Sequence, residues 1–191
     1  MERRHLRMRD LFEISPIITA VKEEEGLAKA METDSPVVFI LYGTICTISD
    51  IVKRVKEHGK IAIVHVDLIS GLGAKEVVVD FIHQNTQADG IISTKAPLVK
   101  RAMELGMIGG QRTFLIDSMA LDITRKQLAV LKPDFMEIMP GVMPKILKTV
   151  RTYTDIPLVA GGLISDKKDI MAAFDAGVDA VSTTKPELWG L

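Results

Sequence analysis

The strongest constraint on this chain is a set of eight short apolar segments that recur along its length. They are mostly rich in Val and Ile and run continuously apolar rather than alternating, which is typical of strands buried on both faces. Their starts lie roughly 20 to 30 residues apart, enough for a turn, a helix and a return loop in each repeat. The predicted strands span residues 17–21, 37–42, 61–66, 90–93, 113–116, 135–139, 158–160 and 180–182.

The segments between these strands predict amphipathic helices. In residues 48–58 the apolar side chains fall on one face, and Gly59 follows as a C-terminal cap. Residues 166–176 repeat this plan, with Ser165 or Asp166 offering an N-cap. Four further helices are predicted over residues 75–84, 97–105, 120–131 and 144–153.

Eight βα units in register predict an α/β fold, a compact TIM-type (β/α)8 barrel with the helices as its outer ring. We expect a single domain over residues 1–191, because neither a linker nor a composition shift divides the chain. Little sequence follows the eighth strand, so the last helix is expected to be short or missing. An open, doubly wound parallel sheet is the alternative.

Charge and composition restrict the partners. The net charge is -1 and the pI is near 6.4, so no positive field covers the whole protein and nucleic-acid contact must be local. Residues 1–14 are interpreted as a basic arm that brings Arg3, Arg4, Arg7 and Arg9 to phosphates, the alternative being a solvated terminus. A single cysteine, no secretory signal and no membrane-length apolar run favour a cytoplasmic protein.

Two neighbouring strand ends predict a phosphate site. In such barrels the loops that follow the strands share one rim, where function collects, and the last two loops frequently bind phosphate. Glycines let backbone amides approach an oxyanion, and hydroxyls add further donors. Gly161 and Gly162 follow the seventh strand, and Ser182, Thr183 and Thr184 follow the eighth.

Other charged residues end the remaining strands. Lys22 and Lys95 are placed to neutralise a phosphate. Asp67, Asp117 and Glu137 suit a divalent cation, acid–base chemistry or hydrogen bonds to ligand hydroxyls, and neutralisation by nearby lysines is the favoured alternative.

Two further residues are expected to be structural. His65 has no Cys or His at ligand spacing, so it is interpreted as a hydrogen-bonded core histidine. Arg112 lies just before the predicted fifth strand and is expected to form a structural ion pair. No nucleophile elbow, dinucleotide fingerprint, nucleotide phosphate loop or zinc pattern occurs in the sequence.

Several longer blocks, in order along the chain, carry a family resemblance. They are VHVDLISGL from Val64, DGIISTK from Asp89, QRTFLIDSMAL from Gln111, PDFMEIMPGVMPK from Pro133, IPLVAGGLISDKKDI from Ile156 and AVSTTKPELW from Ala180. From near Ser15 through Trp189 the sequence resembles the glycerol-3-phosphate-responsive antiterminators.

The resemblance implies a regulator rather than an enzyme. Its effector would be glycerol 3-phosphate, its partner the leader mRNA of glycerol-utilisation genes, and its action transcription antitermination. It implies that Gly161, Gly162, Thr183 and Thr184 hold the phosphate with help from Lys22 and Lys95, and that Asp67, Asp117 and Glu137 accept from ligand hydroxyls. No metal or cofactor is expected, and a homo-oligomer remains open.

Two other functions stay in competition. One is a phosphate-binding barrel enzyme that acts on a small phosphorylated substrate, with Asp67, Asp117 or Glu137 as acid or base. The other is a metabolite-sensing barrel that does not contact RNA, which the acidic pI favours.

Overall fold

Eight parallel strands close into a barrel in the computed structural model, which describes residues 8–191. Each strand pairs with its neighbours in sequence, and the first pairs with the eighth, so the open-sheet alternative is wrong. The strands are β1 (Ile17–Val21), β2 (Val37–Ile40), β3 (Ile61–His65), β4 (Gly90–Ser93), β5 (Ile108–Phe114), β6 (Phe135–Met139), β7 (Leu158–Gly161) and β8 (Ala180–Thr183).

A helix precedes the first strand, and another follows each of the first seven. They are α1 (Met8–Ile14), α2 (Glu24–Met31), α3 (Ile48–Glu57), α4 (Val77–Asn85), α5 (Ala96–Glu104), α6 (Ser118–Val130), α7 (Pro144–Arg151) and α8 (Lys167–Asp175). After β8 only a 3-10 helix, Pro186–Leu188, follows, which confirms the expected short last helix. Within residues 8–191, none of the helices combines the length and apolarity needed to cross a bilayer.

The fifth strand begins five residues earlier than the sequence predicts, at Ile108 rather than residue 113. Gly109 and Gly110 fall outside the predicted strand, but in the structure they pair with Ile91 and Ile92 of β4, at positions where the neighbours leave no room for a side chain. A Cβ at Gly109 would collide with Met103 on α5, and one at Gly110 would collide with the ring of Phe135. Arg112 therefore lies in β5 rather than in the preceding loop, and its side chain faces the barrel interior.

The inner and outer faces of the strands build two apolar clusters. Inward-facing side chains fill the barrel, where the rings of Phe39 and Phe135 stack with centroids 5.4 Å apart. Outward-facing side chains pack against the helices in a larger cluster. Because both faces are buried, the strands carry continuous apolar runs, which is the pattern that predicted them.

The amino end of the barrel is closed by α1. Met8, Leu11 and Phe12 are buried and belong to the inner cluster. The described part of the predicted arm is therefore a packed helix, because its apolar side chains are buried against the inner cluster at the amino end of the barrel. The Arg9 guanidinium donates to the Asp155 carbonyl, whereas Arg3, Arg4 and Arg7 lie outside the described residues.

Carboxylates repeat at the same amino end. The residue before each of β4, β6 and β8 is an aspartate whose side chain accepts a backbone amide of the preceding strand. The bonds join Asp89 to Ala62 N, Asp134 to Gly109 N and Asp179 to Leu158 N, each at 2.8 Å. Asp89 also pairs with Lys56 at 2.6 Å, and Asp179 with Arg151 at 2.9 Å. These charges hold adjacent strands together.

Candidate functional site

A cavity of about 100 Å³ opens at the carboxyl ends of β6, β7 and β8. It brings together most of the residues predicted to hold phosphate, together with Glu137. Its lining comprises Ala20, Leu41, Arg112, Glu137, Met139, Gly162, Leu163, Ile164, Ser182, Thr183 and Thr184. The predicted pairing of the last two loops is therefore present in space.

The loop after β7 has an unusual backbone. Gly162 has φ 73° and the next residue, Leu163, has φ 61° although it carries a side chain. A left-handed conformation at a residue such as leucine costs about 1–3 kcal/mol, and such strain clusters at functional sites. Asp166 then accepts from the amides of Lys168 and Asp169 and begins α8, as predicted.

Gly161 is required for a different reason. A Cβ on this residue would collide with the Glu137 carboxylate and would lie 2.7 Å from the Ser182 hydroxyl. The missing side chain thus makes space for a polar group beneath the cavity, while Gly162 borders the cavity itself.

A buried hydrogen-bonded chain forms the floor of the cavity. The Ser182 hydroxyl donates to Glu137 Oε1, and Arg112 Nε donates to Glu137 Oε2. Glu137 is 1% exposed and Arg112 is 7% exposed. The ion pair expected of Arg112 is confirmed, but Arg112 lies inside β5 and lines the cavity, rather than preceding the strand.

The sequence did not identify Arg112 as a site residue, because the predicted fifth strand begins at residue 113, one residue after Arg112. With the strand beginning at Ile108, period-2 alternation turns Ile108, Gly110 and Arg112 toward the barrel interior. The register of Arg112 opposite Glu137 follows from the pairing of β5 with β6.

His65 also faces the interior, on β3, and is 2% exposed. Burial, reinforced by the charge of Arg112, lowers the pKa of its imidazole to about 4, so the ring is neutral at neutral pH. Its core position agrees with the sequence prediction. The predicted hydrogen bond is absent at Nδ1, which has no partner among residues 8–191.

Asp67 and Lys95 lie together on another part of the rim. The Asp67 carboxylate accepts from the Ser93 hydroxyl, from the amide and hydroxyl of Thr94, and from Lys95 Nζ at 3.0 Å. Burial acts to raise the pKa of Asp67, but these hydrogen bonds outweigh it and lower the pKa to about 2. Neither residue lines the cavity, and neutralisation by a lysine describes Asp67 well.

Two other predicted residues are also outside the cavity. Asp117 caps α6 by accepting from Ala120 N at 2.7 Å and is exposed. Lys22 lines a second cavity of about 230 Å³ beside α2, which shares Ala20 and Thr184 with the first. Nowhere in residues 8–191 do three His, Cys, Asp or Glu side chains converge as a metal site would require.

The closed barrel defines a TIM-barrel protein, and its polar cavity lies at the rim where this fold usually places its functional site. The chain belongs to the glycerol-3-phosphate responsive antiterminator family, whose model matches residues 17–189.

Individual proteins support this membership. The chain is 46% identical over 177 residues to the uncharacterized protein YgcP of Escherichia coli K12, and the match covers 93% of both. The crystal structure of the glycerol uptake operon antiterminator regulatory protein of Listeria monocytogenes is similar with a TM-score of 0.88 at 30% identity, covering 92% of this chain and 95% of that one. The crystal structure of a glycerol uptake operon antiterminator-related protein of Thermotoga maritima is similar with a TM-score of 0.80 at 28% identity, and the match covers 92% of this chain and 98% of that one.

Proposed function

We propose that this protein senses glycerol 3-phosphate and binds the leader mRNA of glycerol-utilisation genes in the cytoplasm, acting as a transcription antiterminator and not as an enzyme. Family membership supports the effector and the regulatory role. The observation that carries the proposal is the cavity itself. It joins an arginine, three hydroxyl side chains and a strained glycine loop, a combination suited to a phosphate monoester.

In the proposed complex the phosphate lies against the backbone at Gly162 and the hydroxyls of Thr183 and Thr184. Glu137 accepts from a hydroxyl of the glycerol portion. Lys22 approaches from the second cavity through the shared wall at Thr184. Asp67, Lys95 and Asp117 are assigned to holding other parts of the rim, because their partners are protein groups.

Ligand binding is tested first by thermal unfolding. Glycerol 3-phosphate at millimolar concentration should raise the melting temperature, because a ligand that binds only the native state stabilises it. Glycerol and inorganic phosphate serve as matched controls, and each should raise it much less. An unchanged melting temperature at saturating effector would contradict the proposed sensor.

The proposed RNA surface lies beside the cavity. α7 carries Lys145, Lys148 and Arg151 and no acidic residue, and α8 begins with Lys167 and Lys168. The two helices pack side by side. We define the exposed lysines Lys145, Lys148, Lys167 and Lys168 as the α7–α8 basic face.

Ion pairing distinguishes this face from the surfaces of α2, α3 and α5. On α2, α3 and α5 most of the basic residues pair with carboxylates, as in Lys29 with Glu25 and Arg101 with Asp80. Within residues 8–191, none of the four lysines of the α7–α8 basic face is in an ion pair. Unpaired cations on one face favour a polyanionic partner.

The two sites are connected by a short stretch of chain. The loop at Gly162 and Leu163 leads within a few residues to the first turn of α8. A ligand shifts an equilibrium only when it binds one state more tightly. We propose that phosphate capture fixes this loop and so fixes the position of Lys167 and Lys168.

RNA binding is tested by titrating labelled leader RNA with and without glycerol 3-phosphate over a salt series. The affinity should rise with effector and fall with salt in proportion to the phosphates neutralised. A scrambled RNA of equal length is the control. Effector binding without any RNA binding would favour the metabolite sensor instead.

A barrel enzyme is the second candidate, favoured by the buried pair of Arg112 and Glu137 at the position where barrel enzymes perform chemistry. Phosphorus NMR of glycerol 3-phosphate and related phosphates, with and without magnesium, distinguishes it. Turnover at enzymatic rates would overturn the regulator.

A further inference from the structure

We infer that Arg112 and Glu137 form a specificity subsite, which accepts a phosphate monoester bearing a neighbouring hydroxyl and rejects a phosphorylated carboxylic acid. The inference rests on the proposed function and deepens it, because it names the chemical group that the cavity excludes.

The donor half of the subsite is the guanidinium of Arg112. Its Nε is occupied by Glu137, which fixes the plane of the group. Its two terminal nitrogens donate to no residue in the range 8–191, and neither is among the buried polar atoms that lack a partner. Because Arg112 lines the cavity, these two nitrogens are available for an oxyanion there.

The acceptor half is the carboxylate of Glu137. Each of its oxygens takes one hydrogen bond, from Ser182 and from Arg112 respectively. A carboxylate oxygen has a second lone-pair site, so it can still accept from a ligand hydroxyl. It cannot donate to a ligand carboxylate, and the two negative charges would repel each other because Glu137 is buried and poorly screened by solvent.

The surrounding layer offers no second cation. Inward-facing residues of alternate strands form layers across such a barrel, and by register Ala20, His65, Arg112 and Gly161 share the one beneath the rim. His65 is the other basic side chain of that layer, and it is neutral at neutral pH. Within this layer one guanidinium therefore faces both Glu137 and the incoming anion. Lys22 lies on the Thr184 side, where the phosphate is proposed, so a further negative charge next to Glu137 would be uncompensated.

The decisive experiment compares two three-carbon ligands on the unmodified protein. Isothermal titration with glycerol 3-phosphate and with 3-phosphoglycerate, which differ in a carboxylate, should give at least thirtyfold tighter binding of the first. Equal affinities would overturn the specificity inference while leaving the proposed sensor intact. Binding of neither compound would instead remove the proposed function.

Glu137→Gln identifies the source of the discrimination. The variant keeps the volume and an acceptor but removes the negative charge, so the preference should fall to less than threefold. Glu104→Gln, an exposed position on α5, is the matched control and should keep it. A preference that survives in Glu137→Gln would refute repulsion by this carboxylate.

Arg112→Lys tests the donor. It retains the charge but loses the planar fork, and glycerol 3-phosphate affinity should fall at least tenfold. Near-ultraviolet circular dichroism checks that the variant is folded. Unchanged affinity in a folded Arg112→Lys protein would show that the guanidinium does not bind the phosphate.

Discussion

The two ends of the barrel use polar side chains in opposite ways. At the amino end, Asp89 and Asp179 each accept a strand amide and pair with a basic side chain, and α1 covers the opening. At the carboxyl end, β3 and β5 contribute the only two buried side-chain atoms that lack a partner within residues 8–191, His65 Nδ1 and Gln111 Oε1.

This contrast separates the groups that stabilise the barrel from the proposed ligand site. Buried polar groups are nearly always satisfied, because leaving one unpaired costs about 1–3 kcal/mol. The amino end follows that rule and closes the barrel. The carboxyl end departs from it at His65, beside a guanidinium with free nitrogens and a loop with strained backbone at Leu163. Neither unpartnered atom belongs to a residue that lines the cavity, but His65 shares its barrel layer with Arg112, which does.

The largest expected effect is a loss of stability from a substitution at the amino end alone. Phe12→Ala should lower the free energy of unfolding by about 4 kcal/mol, because it removes a buried aromatic ring from the inner cluster. Urea denaturation measures the change. Ligand affinity of the folded variant should stay within twofold, and Val130→Ala, at a position 90% exposed, is the control. A comparable loss of affinity would show that the two ends are not independent.

The next effect breaks the carboxyl end alone. Gly162→Val should weaken glycerol 3-phosphate binding about a hundredfold, because a β-branched residue disfavours φ 73° and its Cβ would lie 2.5 Å from Met139 Cε beside the cavity. Calorimetry gives the affinity. Gly73→Ala, on the same rim with open space around it, should bind normally. Unchanged affinity in Gly162→Val would refute the proposed phosphate position.

A smaller effect sharpens the role of the unpaired histidine. The folded pKa of His65, about 4, is below the ordinary value of 6.5, so the unfolded chain binds more protons and stability falls as pH drops from 6.5 toward 4. Between pH 7.5 and pH 5 this linkage lowers the free energy of unfolding by about 2 kcal/mol. Because the pKa of Asp67 is lowered to about 2, that carboxylate stays charged across this range.

Urea titrations of wild type and His65→Gln at pH 7.5 and pH 5 measure this change in the free energy of unfolding. The pH dependence should shrink by about that amount in the variant. His58→Gln, at an exposed histidine, should behave as wild type. An identical pH dependence in His65→Gln would mean that the buried ring does not titrate as the structure indicates.

The smallest effect concerns the outer surface near the carboxyl end. Replacing Lys145 and Lys148 by Gln should weaken leader RNA binding about tenfold and reduce the salt slope by about 1.5. Replacing Lys53 and Lys100 by Gln changes the net charge equally, on lysines that face carboxylates at 3.9 and 3.7 Å. Equal losses in the two double variants would locate the RNA elsewhere.

Much of the fold was predictable because its pattern is local. Continuous apolar runs gave the strands, and helix caps such as Asp166 gave boundaries that agree with the structure. The errors arose where packing overrides local preference. Gly109 and Gly110 lie in a strand because they pair with β4. The short α1 forms because its apolar side chains pack against the inner cluster at the amino end of the barrel.

The site shows the same division. Strand order by itself placed Gly162 beside Thr183 and Thr184, because consecutive parallel strands bring their carboxyl ends together. It did not reveal that Asp117 caps a helix, or that Lys95 is held by Asp67. A strand end fixes which rim a residue occupies, whereas its partner depends on side-chain directions across several strands.

The sequence by itself determined the barrel, its rim and its family, since each depends on the order and spacing of residues along the chain. Tertiary structure decided the chemistry of the cavity. Arg112, Glu137 and Ser182 are far apart in sequence. Only strand pairing and the curvature of the barrel bring a guanidinium, a carboxylate and a hydroxyl into one buried chain, where burial strengthens their hydrogen bonds.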